Sequence, residues 1–175
     1  MAKAALKTLY LLRHAKAAPA EAGGEDRERP LTERGHEDAA EMGRHMAEAG
    51  YKPAVILCSP SRRTVETLEH ILPRFATVQS LRHEESLYLA TRGQLLAQVH
   101  GIADCASGVL IVGHNPGIVE LALALAAPGK EARRMAEKFP TCALAVLEFK
   151  TPSWREAAPG EGHLRAFARP KDFSD

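Results

Sequence analysis

Short apolar runs of strand length alternate with stretches whose apolar residues recur at helical spacing. The runs are Leu6 to Leu12, Ala54 to Cys58 ("AVILC") and "GVLIVG" ending at Gly113. Between the first two, Glu33 to Ala49 carries Ala39, Met42, Met46 and Ala49 on one helical face, with Thr32 as a predicted N-cap and Gly50 as a stop. A second helix is predicted after Ser59-Pro60, with Ser59 as its cap, Pro60 at its first position, and Val65, Leu68, Ile71 and Leu72 facing inward. A weak strand near Thr77 to Leu81 and a helix near Gly93 to Ala103 follow. Gly117 to Ala126 reads as a compact apolar helix.

Alternation of this kind predicts an α/β fold: a mainly parallel central sheet with helices on both faces, in a single domain spanning 1–175. The tail breaks the pattern. Ala143 to Phe149 and Leu164 to Ala168 are strand-like and joined by a Pro/Gly loop around Trp154, so they are expected as an antiparallel pair at one edge, with Trp154 packing the tail onto the sheet.

The polar residues that end the three runs carry the functional signal. "LYLL" ends in Arg13-His14, "VILC" in Ser59 to Arg63, and "LIV" in Gly113-His114-Asn115. Ligands of open parallel sheets bind beyond the carboxyl ends of the strands, so parallel strands would gather these groups into one pocket. Arginine forks and helix N-termini favour anions, and two arginines with two histidines suit a tetrahedral phosphoryl dianion. A neutral histidine among such cations has a lowered pKa and a free lone pair for attack on phosphorus.

Composition narrows the partners. With 45% apolar and 26% charged residues the chain is of ordinary globular type, and a net charge of +1 gives no case for nucleic acid or an anionic membrane. Cys58, Cys105 and Cys142 show no metal-ligand spacing and read as reduced thiols, the first and last as small core hydrophobes. The basic start lacks an apolar run long enough for a signal peptide, and the longest apolar stretch, near Ile118 to Ala127, carries Glu120. A cytoplasmic location is expected.

"LLRHAKA", "SPSRRTVET" and "VGHNPG", in this order, resemble the histidine phosphatase superfamily, with its phosphoglycerate-mutase-like fold. The Arg-His-Ala-Lys form of the first motif, the chain length and "KFPTCALAVLEF" resemble the SixA-type phosphohistidine phosphatases within it. The resemblance implies His14 as the phosphate-accepting nucleophile and Arg13 and Arg63 as phosphate ligands. His114 would be the second histidine, donating to phosphoryl oxygens, and Asn115 would add a backbone amide. It implies no metal and no cofactor.

Ala15 stands where the common motif has Gly. Many members carry an acid in the region of "RHEESLYLAT", where Glu84 and Glu85 stand, and Glu85 is the candidate. A labile P–N bond to a readily protonated imidazole lessens the need for one.

Lys16 either reaches substrate or is solvated. Arg62 is expected in solvent or in an auxiliary role. Arg29 and Thr32, in "RPLTERG", match a recurring family stretch. His36, His45, His70, His83, His100 and His163 are expected to be surface or structural. The implied substrate is phosphohistidine on a signalling protein, such as a histidine-containing phosphotransfer domain. The alternatives are a small phosphate ester, or phosphate binding without turnover.

Overall fold

The computed structural model describes residues 4–173. Six strands form one sheet: β1 (Ala5–Arg13), β2 (Val55–Cys58), β3 (Ser80–His83), β4 (Gly108–Gly113), β5 (Leu144–Thr151) and β6 (His163–Ala168), in the order β3-β2-β4-β1-β5-β6. Strands β3, β2, β4 and β1 run parallel, whereas β5 is antiparallel to β1 and to β6. This is the mixed sheet the apolar runs predict. β1 and β4 are buried on both faces over most of their length, which is why they read as continuous apolar runs rather than as alternation.

The two faces bury separate cores. One is built on Leu9, Leu11, Val109, Ile111, Leu121 and Trp154, the other on Leu12, Ile56, Met42, Met46, Ile71 and Val112. Helices α1 (Glu33–Glu48) and α2 (Arg62–Ile71) supply the second, while α3 (Arg92–His100), α4 (Gly117–Leu125) and α5 (Lys130–Glu137) supply the first. Truncating one such leucine to Ala costs about 2–5 kcal/mol. Trp154 is fully buried and its indole N–H donates to the Ala106 carbonyl at 2.8 Å, so the tail is pinned as expected.

Several boundaries differ from the sequence reading. β3 lies at Ser80–His83 rather than Thr77 to Leu81, because its residues are mostly exposed at a sheet edge and no apolar run marks them. α5 has no counterpart in that reading, since Met135 is its only buried side chain. Ser59 and Pro60 do not start α2. The N-cap is Ser61, whose hydroxyl pairs with that of Thr64 at 2.7 Å rather than with a helix amide. Ser59 is thereby freed for another task.

Thr32 does cap α1, accepting from the Gly35 amide at 3.0 Å. Its own amide and hydroxyl both donate to the Lys16 carbonyl, at 2.9 and 3.2 Å. Gly35 packs so closely on that carbonyl that an added Cβ would lie 2.2 Å from the oxygen. The first turn of α1 is therefore a clamp on the chain leaving β1.

Candidate active site

Parallel strands with α-helical crossovers bring the ends of β1, β2 and β4 to one edge. His14 follows β1, Ser59 follows β2 and His114 follows β4; the His14 amide donates to the Gly113 carbonyl at 3.0 Å, and the Ser59 amide to Val112 at 3.0 Å. An open cleft of about 350 Å³ lies over them, and Arg13, His14, Lys16, Arg63, His114 and Asn115 all line it. A larger groove of about 650 Å³ starts at Leu6, near the beginning of β1. Its carboxylates Glu148, Glu156 and Glu161 make it a poor anion site.

The rings of His14 and His114 are 5.4 Å apart, centre to centre. His14 is 9% exposed, and its Nδ1 lies 2.7 Å from the Ala15 carbonyl oxygen. A carbonyl only accepts, so Nδ1 carries the proton and the lone pair sits on Nε2. Burial first, then the charges of Arg63, Arg13 and Arg29, lower the His14 pKa to about 4. The Ala15 amide donates to the Thr67 hydroxyl at 2.9 Å, which fixes the turn from α2.

His114 is held at both nitrogens. A guanidinium N–H of Arg63 points at its Nδ1 from 3.3 Å, so that atom accepts and Nε2–H donates to the Ser59 hydroxyl at 2.7 Å. Burial, then His14 and Arg63, bring its pKa to about 3. Tyr88 stands edge-on to this ring, 5.5 Å between centres.

Arg63 is 3% exposed and rigidly placed: Nη1 donates to the Asp26 backbone carbonyl at 2.8 Å and Nη2 to its carboxylate at 3.0 Å. Arg13 donates to the Phe139 carbonyl at 3.1 Å, and burial lowers its pKa. The Nε atoms of both arginines are buried without a partner. The Asn115 side chain also donates to Phe139, at 3.1 Å, while its Oδ1 accepts from the Val119 amide, so its amide group is committed to the loop and to α4. Lys16 is exposed at the rim.

Glu85 is not brought to the cleft. Its carboxylate, 73% exposed, pairs with Arg27 at 2.8 Å, and Arg27 lies over the Tyr88 ring. Arg62 pairs with Glu66 at 2.8 Å on the outside of α2.

The groups the sequence reading missed are Asp26, Arg29, Ser59, Leu89 and Thr141. Ser59 holds His114, and the other four line the cleft. Asp26 and Arg29 sit in a polar loop without periodicity; the match of "RPLTERG" to a family stretch was the available signal for Arg29. Leu89, 55% exposed, has a left-handed backbone with φ of 50°. Cys142, buried with φ of 60°, donates its amide to the His14 carbonyl at 2.9 Å. Such conformations in bulky residues gather at functional sites.

A buried imidazole with Nδ1 tied to a carbonyl, a second imidazole 5.4 Å away and two guanidinium groups together line one cleft whose chemistry suits a tetrahedral anion. The family model of the histidine phosphatase superfamily (branch 1) matches residues 9–88. An uncharacterized protein of Mycobacterium tuberculosis is 34% identical over 166 residues, covering 91% of this chain and all of that protein.

Among solved structures, one assigned as the phosphohistidine phosphatase SixA from Nakamurella multipartitia is 29% identical. It covers 96% of this chain and 98% of its own, with a TM-score of 0.80. Its counterpart from Agrobacterium tumefaciens is 28% identical over 94% and 98% of the two chains, with the same TM-score. The fold is also that of protein histidine phosphatase SixA complexed with tungstate, 22% identical over 95% and 99%, at a TM-score of 0.78. The chain belongs to the histidine phosphatase superfamily. Its architecture is the SixA-like one, and it is a phosphatase of that superfamily.

Proposed function

We propose that the protein is a cytoplasmic, metal-independent phosphohydrolase that removes phosphate from phosphohistidine of a signalling protein, such as a histidine-containing phosphotransfer domain. The carrying observation is the His14 ring: buried, Nδ1 tied to the Ala15 carbonyl, and lining the same cleft as Arg13, Arg63 and His114. The phosphoryl dianion binds between Arg13 and Arg63, whose forks match its oxygens. The Nε2 lone pair of His14 attacks phosphorus, the bond to the leaving nitrogen breaks with its pair on that nitrogen, and His14 carries the phosphoryl group. Water then attacks, and phosphate departs.

His114 takes a second role as charge builds. An arriving dianion raises its pKa, and a proton on Nδ1 lets it donate to a phosphoryl oxygen while Nε2–H stays on Ser59. Asn115 supports the turn that carries His114, and Lys16 attracts anions from the rim. Among the described residues no three His, Cys, Asp or Glu side chains gather as a metal site. No helix of the described residues is long and apolar enough to cross a membrane.

Small phosphate esters are the second reading, favoured by the open cleft. The deciding experiment uses chelator-treated protein and His14→Ala against phosphohistidine proteins and p-nitrophenyl phosphate. The proposal expects an acid-labile phosphoenzyme in wild type only, and phosphohistidine as the better substrate. Equal or better turnover of the ester would favour the second reading; full activity of His14→Ala would overturn both.

A further inference from the structure

A carboxylate sits in the mouth of a cleft otherwise built for anions. Asp26 lines it, 45% exposed at the side chain, while His14 lies buried. The position is engineered by contacts rather than accidental: Oδ2 accepts from Arg63 at 3.0 Å and from the Tyr88 hydroxyl, and Oδ1 accepts from Arg29 at 3.1 Å. The Tyr88 hydroxyl, Arg29 and Arg63 together hold its pKa well below the usual carboxylate range, so it stays ionised. Arg63 does not need this charge for its placement, since the Asp26 backbone carbonyl already fixes Nη1 at 2.8 Å.

A like charge beside a bound dianion weakens binding, so its value must lie elsewhere in the reaction. In-line attack by the buried His14 expels the leaving group toward the open side of the cleft, which the half-exposed Asp26 also lines. An anionic or neutral oxygen leaving group gains nothing there. A protonated phosphoimidazole gains a counter-ion for its ring N–H. An ionised carboxylate offers about four acceptor positions, and three donors leave room for one more.

We propose that Asp26 is the specificity-determining residue of this site, selecting phosphoramidates whose leaving group is cationic, imidazolium above all, over phosphate esters. This rests on the phosphatase reading above and names its substrate class. Balance is simple: His14 Nε2 bonds to phosphorus, the P–N bond breaks, its electron pair stays on the leaving nitrogen, and the imidazolium ring departs as neutral imidazole. Asp26 takes no proton. It holds the N–H that makes the ring a good leaving group.

The test compares wild type, Asp26→Asn and Asp26→Glu on phosphoimidazole and p-nitrophenyl phosphate, across pH 5–9 in about unit steps. Asp26→Asn is expected to lower kcat/KM for phosphoimidazole about tenfold or more and to raise that for the ester about threefold. The alkaline limb for phosphoimidazole should move about one unit lower, because the ring N–H has lost its counter-ion. Asp26→Glu, which keeps the charge, should restore part of the preference, and melting temperatures confirm that both variants fold. Equal losses on both substrates, or an unchanged ratio, overturn the assignment while the phosphatase reading stands. Wild type that hydrolyses the ester but not phosphoimidazole overturns this assignment together with the phosphohistidine reading, and leaves the small-ester reading in place.

Discussion

The hydroxyl of Ser59 lies 2.7 Å from Nε2 of His114, and it fixes which nitrogen of that ring is committed to the protein. With Nε2–H committed to Ser59, Nδ1 accepts from Arg63, and in the proposed mechanism Nδ1 is the atom left for a phosphoryl oxygen. Ser59→Ala leaves a buried ring nitrogen unpaired and the ring free to turn. A hydrogen bond of this kind, with charge developing on the imidazole, is worth about 1.5–3 kcal/mol. We expect kcat/KM to fall on the order of ten- to a hundredfold, mostly in kcat, with Ser59→Thr recovering much of it. An unchanged kcat in Ser59→Ala would show that the hydroxyl does not orient His114.

Titration of the two histidines ties stability to pH. Their pKa values are lowered, from about 6.5 unfolded to about 4 for His14 and about 3 for His114. As pH falls below 6.5 the unfolded chain binds protons that the folded one refuses, so stability is complete above 6.5 and is lost as pH drops through the folded values. For His14 this amounts to on the order of 3 kcal/mol. His14→Gln should therefore flatten the urea midpoint between pH 6.5 and about 4 relative to wild type. The lowered carboxylates Asp26, Glu66 and Asp172 act at lower pH, as does their linkage. A wild-type midpoint that rises on acidification across this window would contradict the burial of neutral rings.

Gly35 gives a prediction remote from the chemistry. A methyl group there would overlap the Lys16 carbonyl, 2.2 Å from the oxygen, and backbone on both sides cannot yield cheaply. Gly35→Ala should destabilise by about 1–3 kcal/mol. It should also displace the His14–Lys16 turn, lowering kcat/KM beyond what the lost stability explains at 25 °C. A variant with normal activity and melting temperature would mean that the α1 clamp on Lys16 is dispensable.

The mainly parallel sheet with its antiparallel edge, and the convergence of Arg13, His14, Arg63 and His114, were legible because each of these residues ends or follows a buried strand or opens the next helix. Apolar runs locate strand ends well, and parallel topology does the rest. Ser59 was misread because Ser-Pro is a strong cap signal locally, while its tertiary partner lies 55 residues away. Asp26 was invisible for a related reason: it sits in a stretch without apolar periodicity, and besides its near neighbour Arg29 it is placed by Arg63 and Tyr88, 37 and 62 residues away.

Glu85 makes the complementary point and the last prediction. Its neighbourhood fits the place where relatives carry an acid, yet its carboxylate pairs with Arg27 in solvent, and that contact lowers its pKa. A group ionised and outside the cleft has no proton to give at neutral pH and no path to a leaving atom. Glu85→Gln should thus retain phosphatase activity within about twofold and leave the pH profile unmoved, because an exposed ion pair contributes little. Removing Arg27, which covers the Tyr88 ring that in turn bonds Asp26, should disturb activity more than removing Glu85 does. If Glu85→Gln instead lost a hundredfold with an altered alkaline limb, the loop carrying it would have to fold over the cleft during turnover.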